Sequence, residues 1–351
     1  MTSPGELTSP GEVTSPREAA FWRSAGGTES ETGLTRLLYS VAAVRRIPNT
    51  NLDVFPLCLG GNVFDWTADE RQSFDVLDAY LAAGGNFIDT ADTYSSWVPG
   101  HPGGESETII GRWMAARGTR NRVVVATKVG LKPGLKGLAP ATIRTAAEDS
   151  LRRLGTDRID LYYAHKDDPD TALADTLRAF DTLVKEGKVR HIAASNYTAP
   201  RLAEALAVSR RDGLARYVAL QPHYNLVDRS EYEGELRHLC AREGLACFPY
   251  FALAKGFLTG KYRPGAKVDS PRAPAAGAYL DERGLRLLAV LDEIAAAHHT
   301  SVAAVSLAWL LAQPTVAAPI ASARTVEQLK ELLPVATLSL SAEELERLST
   351  A

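Results

Sequence analysis

The 351-residue chain has only three cysteines, Cys58, Cys240 and Cys247, and their positions lack the paired spacing of a zinc site. Three thiols cannot all pair with one another, so the sequence predicts reduced cysteines and a cytoplasmic protein. No apolar run approaches the roughly 18 residues of a membrane-spanning helix, and no basic-then-apolar leader opens the chain. The formal net charge is only −3. Without clustered Lys and Arg there is no electrostatic footprint for nucleic acid or anionic lipid. Two phosphate-binding signatures are missing as well. The Walker A pattern is absent, and the first strand-to-helix turn, "LGGNVFDW", has adjacent glycines but not G-x-G-x-x-G. With 45% hydrophobic and 23% charged residues the chain reads as a globular protein with a large core, and its expected partner is a small molecule.

Residues 1–44 open with "TSPGEL", "TSPGEV" and "TSPREA", a mixture too poor in apolar groups to offset the entropy of ordering; it predicts a disordered tail. Residues 45–351 change character. An Asn-Thr-Asn centre in "RRIPNTNLDVFPLCLGG" suggests a hairpin. Eight apolar runs then alternate with amphipathic stretches: "PLCLG", "NFID", "VVVATK", "IDLYYAH", "VRHIAASN", "YVALQ", "ACFPY" and "VAAPIA". Helices are predicted over 70–83, 105–117, 141–154, 171–186, 199–211, 230–243, 281–298, 301–312, 325–334 and 341–349. Continuous apolar strands separated by helices favour a closed (β/α)8 TIM barrel, with an open doubly wound sheet as the alternative. Two connections, 95–104 and 263–280, are longer than a barrel needs and follow strands, on the face where barrel active sites lie.

The strand ends are polar in a chemically coherent way. Asp89 ends the second strand, Lys128 the third and His165 the fourth, with Tyr94 just past Asp89. Singly each has an ordinary structural reading: a cap, a rim charge, a core histidine, a packing aromatic. In a barrel they share one mouth. A lysine beside a phenol is expected to lower the tyrosine pKa, as suits a phenolic general acid. Asp89 would hold that lysine, and His165 could polarise a carbonyl oxygen.

"GGNFIDTADTY", "VVVATKVG", "DLYYAHKDD", "VRHIAASNY", "PYFALAKGFLTGKY" and "ASARTVEQLKEL" together resemble the successive signatures of the aldo-keto reductase superfamily, especially its bacterial branch related to potassium-channel β-subunits. The resemblance covers about residues 45–351. It implies that Asp89, Tyr94, Lys128 and His165 are the catalytic tetrad and that NADPH is the cofactor, with no metal. It further implies that Ser195, Asn196 and Gln221 hold the carboxamide and that Tyr250 stacks on the nicotinamide. Leu253 and Lys261 would meet the pyrophosphate, and Ser322, Arg324 and Gln328 the 2′-phosphate end. Phe251 and Ala252 replace the more usual Ser-Pro, and Leu332 stands where an asparagine commonly meets the adenine. Phe64, Trp66 and Trp97 are candidates for an apolar substrate wall. The implied reaction reduces an aldehyde or ketone, keto-sugars included; the alternative is a nucleotide-binding regulatory subunit with slow turnover.

Overall fold

The computed structural model describes residues 44–351, so the tail predicted over residues 1–44 lies outside the described residues except for Val44. β1 (Arg45–Arg46) and β2 (Asp53–Val54) pair antiparallel as the expected hairpin. Asn49 takes φ 59° in its turn, a conformation that asparagine tolerates well.

Eight parallel strands follow: β3 (Cys58–Gly60), β4 (Phe87–Asp89), β5 (Val124–Val129), then, after a small hairpin of β6 (Leu131–Lys132) and β7 (Leu135–Lys136), β8 (Ile159–Ala164), β9 (Val189–Ser195), β10 (Tyr217–Gln221), β11 (Ala246–Cys247) and β12 (Ile320–Ala321). They form one sheet in the order β11-β10-β9-β8-β5-β4-β3-β12. Its two outermost strands are joined too: Ala317 N donates to Cys247 O at 3.0 Å and Ile320 N to Pro249 O at 2.9 Å. The chain is thus an α/β protein with an eight-stranded parallel sheet, consistent with a (β/α)8 barrel. The last two strands are shorter than "ACFPY" and "VAAPIA" predicted. Pro249 and Pro319 have no N–H to give a ladder.

Helices alternate with these strands: α1 (Glu70–Ala82), α2 (Glu105–Arg117), α3 (Pro140–Leu154), α4 (Leu173–Lys185), α5 (Ala199–Asp212), α6 (Glu235–Glu243), the short α7 (Ala273–Gly277), α8 (Glu282–Ala297), α9 (Val302–Leu311), α10 (Val326–Leu332) and α11 (Ala342–Thr350). Local chemistry sets their ends. Asp69 and Gln72 make a reciprocal capping box at α1, and Pro140 supplies a pre-formed first turn to α3. The helix predicted over 230–243 begins only at Glu235, because Gly234 sits at φ 102°, ψ −133°, far from helical geometry. Among the described residues no single helix is long and apolar enough to cross a membrane.

The period-two alternation of the strands divides the interior in two. Phe87, Val124, Ala126, Leu161, Tyr163 and Ala193 pack inside the sheet with Ile47, Leu52 and Val54 of the hairpin. Ile88, Val125, Tyr162, Ile192 and Leu220 point outward to the helices. The same parity fixes the polar ends. Asp89 shares a face with Phe87, Lys128 with Val124 and Ala126, and His165 continues from Leu161 and Tyr163, so all three side chains face the interior.

Candidate active site

Lys128 is fully buried, and its ammonium uses its three protons on three oxygens. Nζ donates to Asp89 Oδ2 at 2.6 Å, to the Thr90 carbonyl at 2.8 Å and to Tyr94 Oη at 2.9 Å. Tyr94 in turn donates to Asp89 Oδ2 at 3.1 Å, and Gln221 Nε2 donates to Asp89 Oδ1 at 2.9 Å. Every oxygen of the buried carboxylate is therefore matched, which offsets the cost of placing an ion pair in the interior. The loop from Asp92 to Gly104 brings Tyr94 back onto this cluster. It closes through Gly103 (φ 92°) and Gly104 (φ 99°); a Cβ at Gly103 would lie 2.9 Å from Asp92 O and one at Gly104 2.3 Å from Arg153 Nε, so only glycine fits.

One expectation reverses here. Burial pushes the Tyr94 hydroxyl well above the usual tyrosine range, and the adjacent Asp89 carboxylate pushes it further. Lys128 stands beside the phenol but is shared with Asp89, and burial and the carboxylate outweigh it, so the net shift runs opposite to the one the sequence suggested. Tyr94 is held protonated. His165, 6.2 Å from Tyr94 between ring centres, is driven well below the usual histidine range by burial and then by Lys128. It is a neutral imidazole whose buried Nδ1 has no hydrogen-bond partner among the described residues.

A cavity of about 760 Å³ opens above the cluster, and its lining includes Asp89, Tyr94 and His165 together with Ser195, Asn196, Gln221, Tyr250, Leu253, Lys261, Ser322, Arg324 and Gln328. Lys128 lies beneath the floor. The remaining candidate positions are thus brought together from the ends of six strands and the loops after them, with Gln328 on α10. Ser195 Oγ donates to Gln221 O at 2.8 Å, Asn196 Nδ2 to His165 O at 2.9 Å, and Tyr250 Oη to Asn196 Oδ1 at 2.7 Å. Ser322 donates to Asn62 Oδ1 at 2.6 Å, and Gln328 Oε1 accepts the Arg324 N–H at 3.0 Å beside the start of α10. Trp66 and Trp97 line the cavity. Phe64 does not: it is fully buried in the packing between sheet and helices, which corrects its place in the substrate wall.

The cavity has a cationic end. Partial desolvation, then the nearby Arg324 and Arg272, pull the Lys261 pKa down. Burial is also the largest cause of the lowered Arg272 pKa, with Arg324 adding to it. Three mutually repelling cations in one cleft fit a ligand with several anionic oxygens. Arg272 was missed in the sequence because it sits in the aperiodic connection 263–280, where no pattern marks it. The same end holds a strained turn in which Phe251, Ala254, Lys255 and Gly256 all have positive φ, a frequent mark of functional backbone.

A parallel α/β sheet with a buried Asp–Lys–Tyr cluster beneath a cavity cationic at one end defines a class, and comparison with known sequences agrees with it. The model of the Aldo/keto reductase family matches residues 56–351, and the chain belongs to that family. It is 33% identical over 329 residues to the Protein tas of Escherichia coli, covering 85% of this chain and 94% of that protein. It is 36% identical over 310 residues to the uncharacterized oxidoreductase YrpG of Bacillus subtilis, covering 86% and 93% respectively. Norsolorinic acid reductase of Aspergillus flavus is 31% identical over 336 residues, 91% of this chain and 81% of that one. Oxidoreductase chemistry on carbonyl compounds is the general activity this membership supports.

Proposed function

We propose that the protein is an NADPH-dependent carbonyl reductase built on a closed (β/α)8 barrel over residues 45–351, with Tyr94 as proton donor. The observation that carries this reading is the buried contact of Lys128 with both Asp89 and Tyr94 directly under the cavity. The cavity fits the cofactor on its own features: amide and hydroxyl groups of Ser195, Asn196 and Gln221 beside the acid–base cluster, the Tyr250 ring along the wall, and Lys261, Arg272 and Arg324 at the cationic end. Reduced nicotinamide supplies a hydride to the carbonyl carbon when bound. The protein's own work is at the oxygen. Tyr94, protonated at neutral pH, donates its proton there. Lys128 stabilises the phenolate this leaves, and Asp89 with Gln221 keeps Lys128 in place. Neutral His165 orients the carbonyl as a hydrogen-bond donor. The three unpaired cysteines accord with work in the reducing cytoplasm. Mixing NADPH-loaded protein with a test aldehyde and following absorbance at about 340 nm tests the reading. Oxidation within a single turnover supports it; tight NADPH binding without oxidation by any carbonyl compound would identify a regulatory nucleotide-binding protein instead.

A further inference from the structure

Resting on the NADPH-dependent reading above, we infer that His223 is a positioning residue for the reaction: it backs Tyr250 and so fixes the ring on which the nicotinamide lies. Tyr250 lines the cavity, whereas His223 is not part of that lining. The imidazole is nearly parallel to the phenol ring, with centres 5.5 Å apart at 18°, so it packs on the side of Tyr250 turned away from the cavity. That spacing is an offset stack. Backbone pairing beyond the ends of β10 and β11 brings the two rings together. Tyr250 N donates to Pro222 O at 3.0 Å, Tyr224 N donates to Tyr250 O at 3.5 Å, and His223 and Tyr250 face each other across this bridge.

His223 is held in its turn. Its Nε2 lies 3.1 Å from Asp228 Oδ2, although no N–H points squarely at that oxygen. The same oxygen accepts from Asn225 Nδ2 at 3.0 Å and from Tyr279 Oη at 2.8 Å, so Asp228 is a fixed post. Asn225 Nδ2 also donates to the Phe251 carbonyl at 3.0 Å, and the Phe251 ring meets His223 and Tyr250 edge on, with centres at 5.5 and 5.2 Å. At its other end Tyr250 Oη donates to Asn196 Oδ1, while Asn196 Nδ2 donates to His165 O. The phenol is therefore pinned at its hydroxyl and supported on its back. Without His223 it can tilt into the space left behind it. Hydride transfer needs the reacting atoms about 3 to 3.5 Å apart, and a shift of about 1 Å costs up to about 10² in rate.

Binding separates this role from a general loss of structure. Adenosine 2′,5′-bisphosphate has the adenine and the 2′-phosphate but no nicotinamide, so the ratio of its dissociation constant to that of NADPH reads what the nicotinamide half adds. By titration calorimetry on full-length protein, His223→Ala should leave the bisphosphate within about twofold of native and cut the NADPH advantage about three- to tenfold, the reach of one aromatic contact. His223→Phe keeps a flat ring behind Tyr250 and should restore the advantage to within about twofold of native. Tyr250→Ala should cut it at least as far as His223→Ala, and the double variant no further than Tyr250→Ala alone. Single-turnover oxidation of bound NADPH by saturating aldehyde should slow about tenfold in His223→Ala, with 4-deuterated NADPH confirming that hydride transfer is the step read. An NADPH advantage that falls in Tyr250→Ala but not in His223→Ala, a His223→Phe as weak as His223→Ala, or a further loss in the double variant overturns the positioning role and leaves carbonyl reduction standing. Native protein that binds NADPH no better than the bisphosphate, or whose bound NADPH no aldehyde oxidises, overturns the reductase reading, and this inference with it.

Discussion

Lys128 Nζ lies 2.9 Å from Tyr94 Oη and 2.6 Å from Asp89 Oδ2, so one buried cation joins the proposed proton donor to the carboxylate behind it. If the pair acts as a unit, removing either member removes the same function. Tyr94→Phe should lower the reduction rate by about 10² to 10⁴ with NADPH affinity nearly unchanged, since the hydroxyl acts on substrate oxygen. Lys128→Met should cost a comparable factor, and the double variant no more than the worse single one. Lys128→Met also leaves Asp89 as an uncompensated buried charge, at a stability cost of about 3 to 5 kcal/mol, so thermal melts must confirm a folded protein at the assay temperature. Multiplicative losses in the double variant would mean two independent roles.

The direction of the Tyr94 shift sets the pH behaviour of the two reaction directions. A phenol held above its ordinary value of about 10 is fully protonated at neutral pH and above. Carbonyl reduction uses the protonated form, so its rate should be level from about pH 6 to about pH 9. Alcohol oxidation needs the phenolate and should climb throughout that range. The depressed His165 pKa adds no break near about 6.5, the ordinary histidine value. Rate profiles in both directions check this; a one-proton loss of reduction between about pH 7 and 9 would point to a phenol lowered by Lys128 after all.

This sign is the clearest case of what the sequence could not carry. Their place at strand ends put Asp89, Lys128 and His165 in one mouth and the family resemblance grouped them with Tyr94, while the structure adds that parity along the strands turns all three to the interior. The Tyr94 shift comes first from burial and then from Asp89, and the spacing of strand ends shows neither how deep the hydroxyl lies nor which acid it touches. Phe64 was misplaced for a related reason: a loop has no period, so nothing indicated that it turns inward while Trp66 turns to the cavity. Arg272 was hidden likewise in a long aperiodic connection. The shortened strands at Pro249 and Pro319 were readable in principle, because a missing N–H is written in the sequence.

A second buried carboxylate gives a stability prediction. Asp92 is fully buried, neither of its oxygens has a hydrogen-bond partner among the described residues, and its pKa is raised to about 7, by burial first and then by Glu107. A folded value above the unfolded one means that the native state binds the extra proton between about pH 4 and pH 7. Stability from this group is therefore present at low pH and lost as pH rises toward 7. Asp92→Asn removes the titration while keeping the shape. The melting temperature of the variant relative to native protein should rise from pH 5 to pH 8, by an amount equivalent to a few kcal/mol at most. Any penalty from burying an amide is independent of pH and cancels in that comparison. A difference constant across the range would show that Asp92 is ionised throughout.

Cofactor choice tests the cationic end residue by residue. Arg324 stands at the start of α10 beside Gln328, whereas Arg272, also at the cationic end, lies over the Trp66 ring. On the proposed reading, the two arginines would face different parts of an extended dinucleotide. A guanidinium on the 2′-phosphate makes charge-assisted hydrogen bonds worth on the order of 1.5 to 3 kcal/mol each, and NADH carries only a hydroxyl at that position. Arg324→Ala should weaken NADPH roughly tenfold or more and NADH by only a few-fold, with the native preference shrinking at high salt. Arg272→Ala should instead weaken both cofactors by similar factors, because the pyrophosphate is common to them. Quenching of intrinsic fluorescence gives all the dissociation constants without a known substrate. Equal weakening of both cofactors by Arg324→Ala would leave that side chain supporting its loop, and native protein without an NADPH preference would remove the assignment of the cofactor itself.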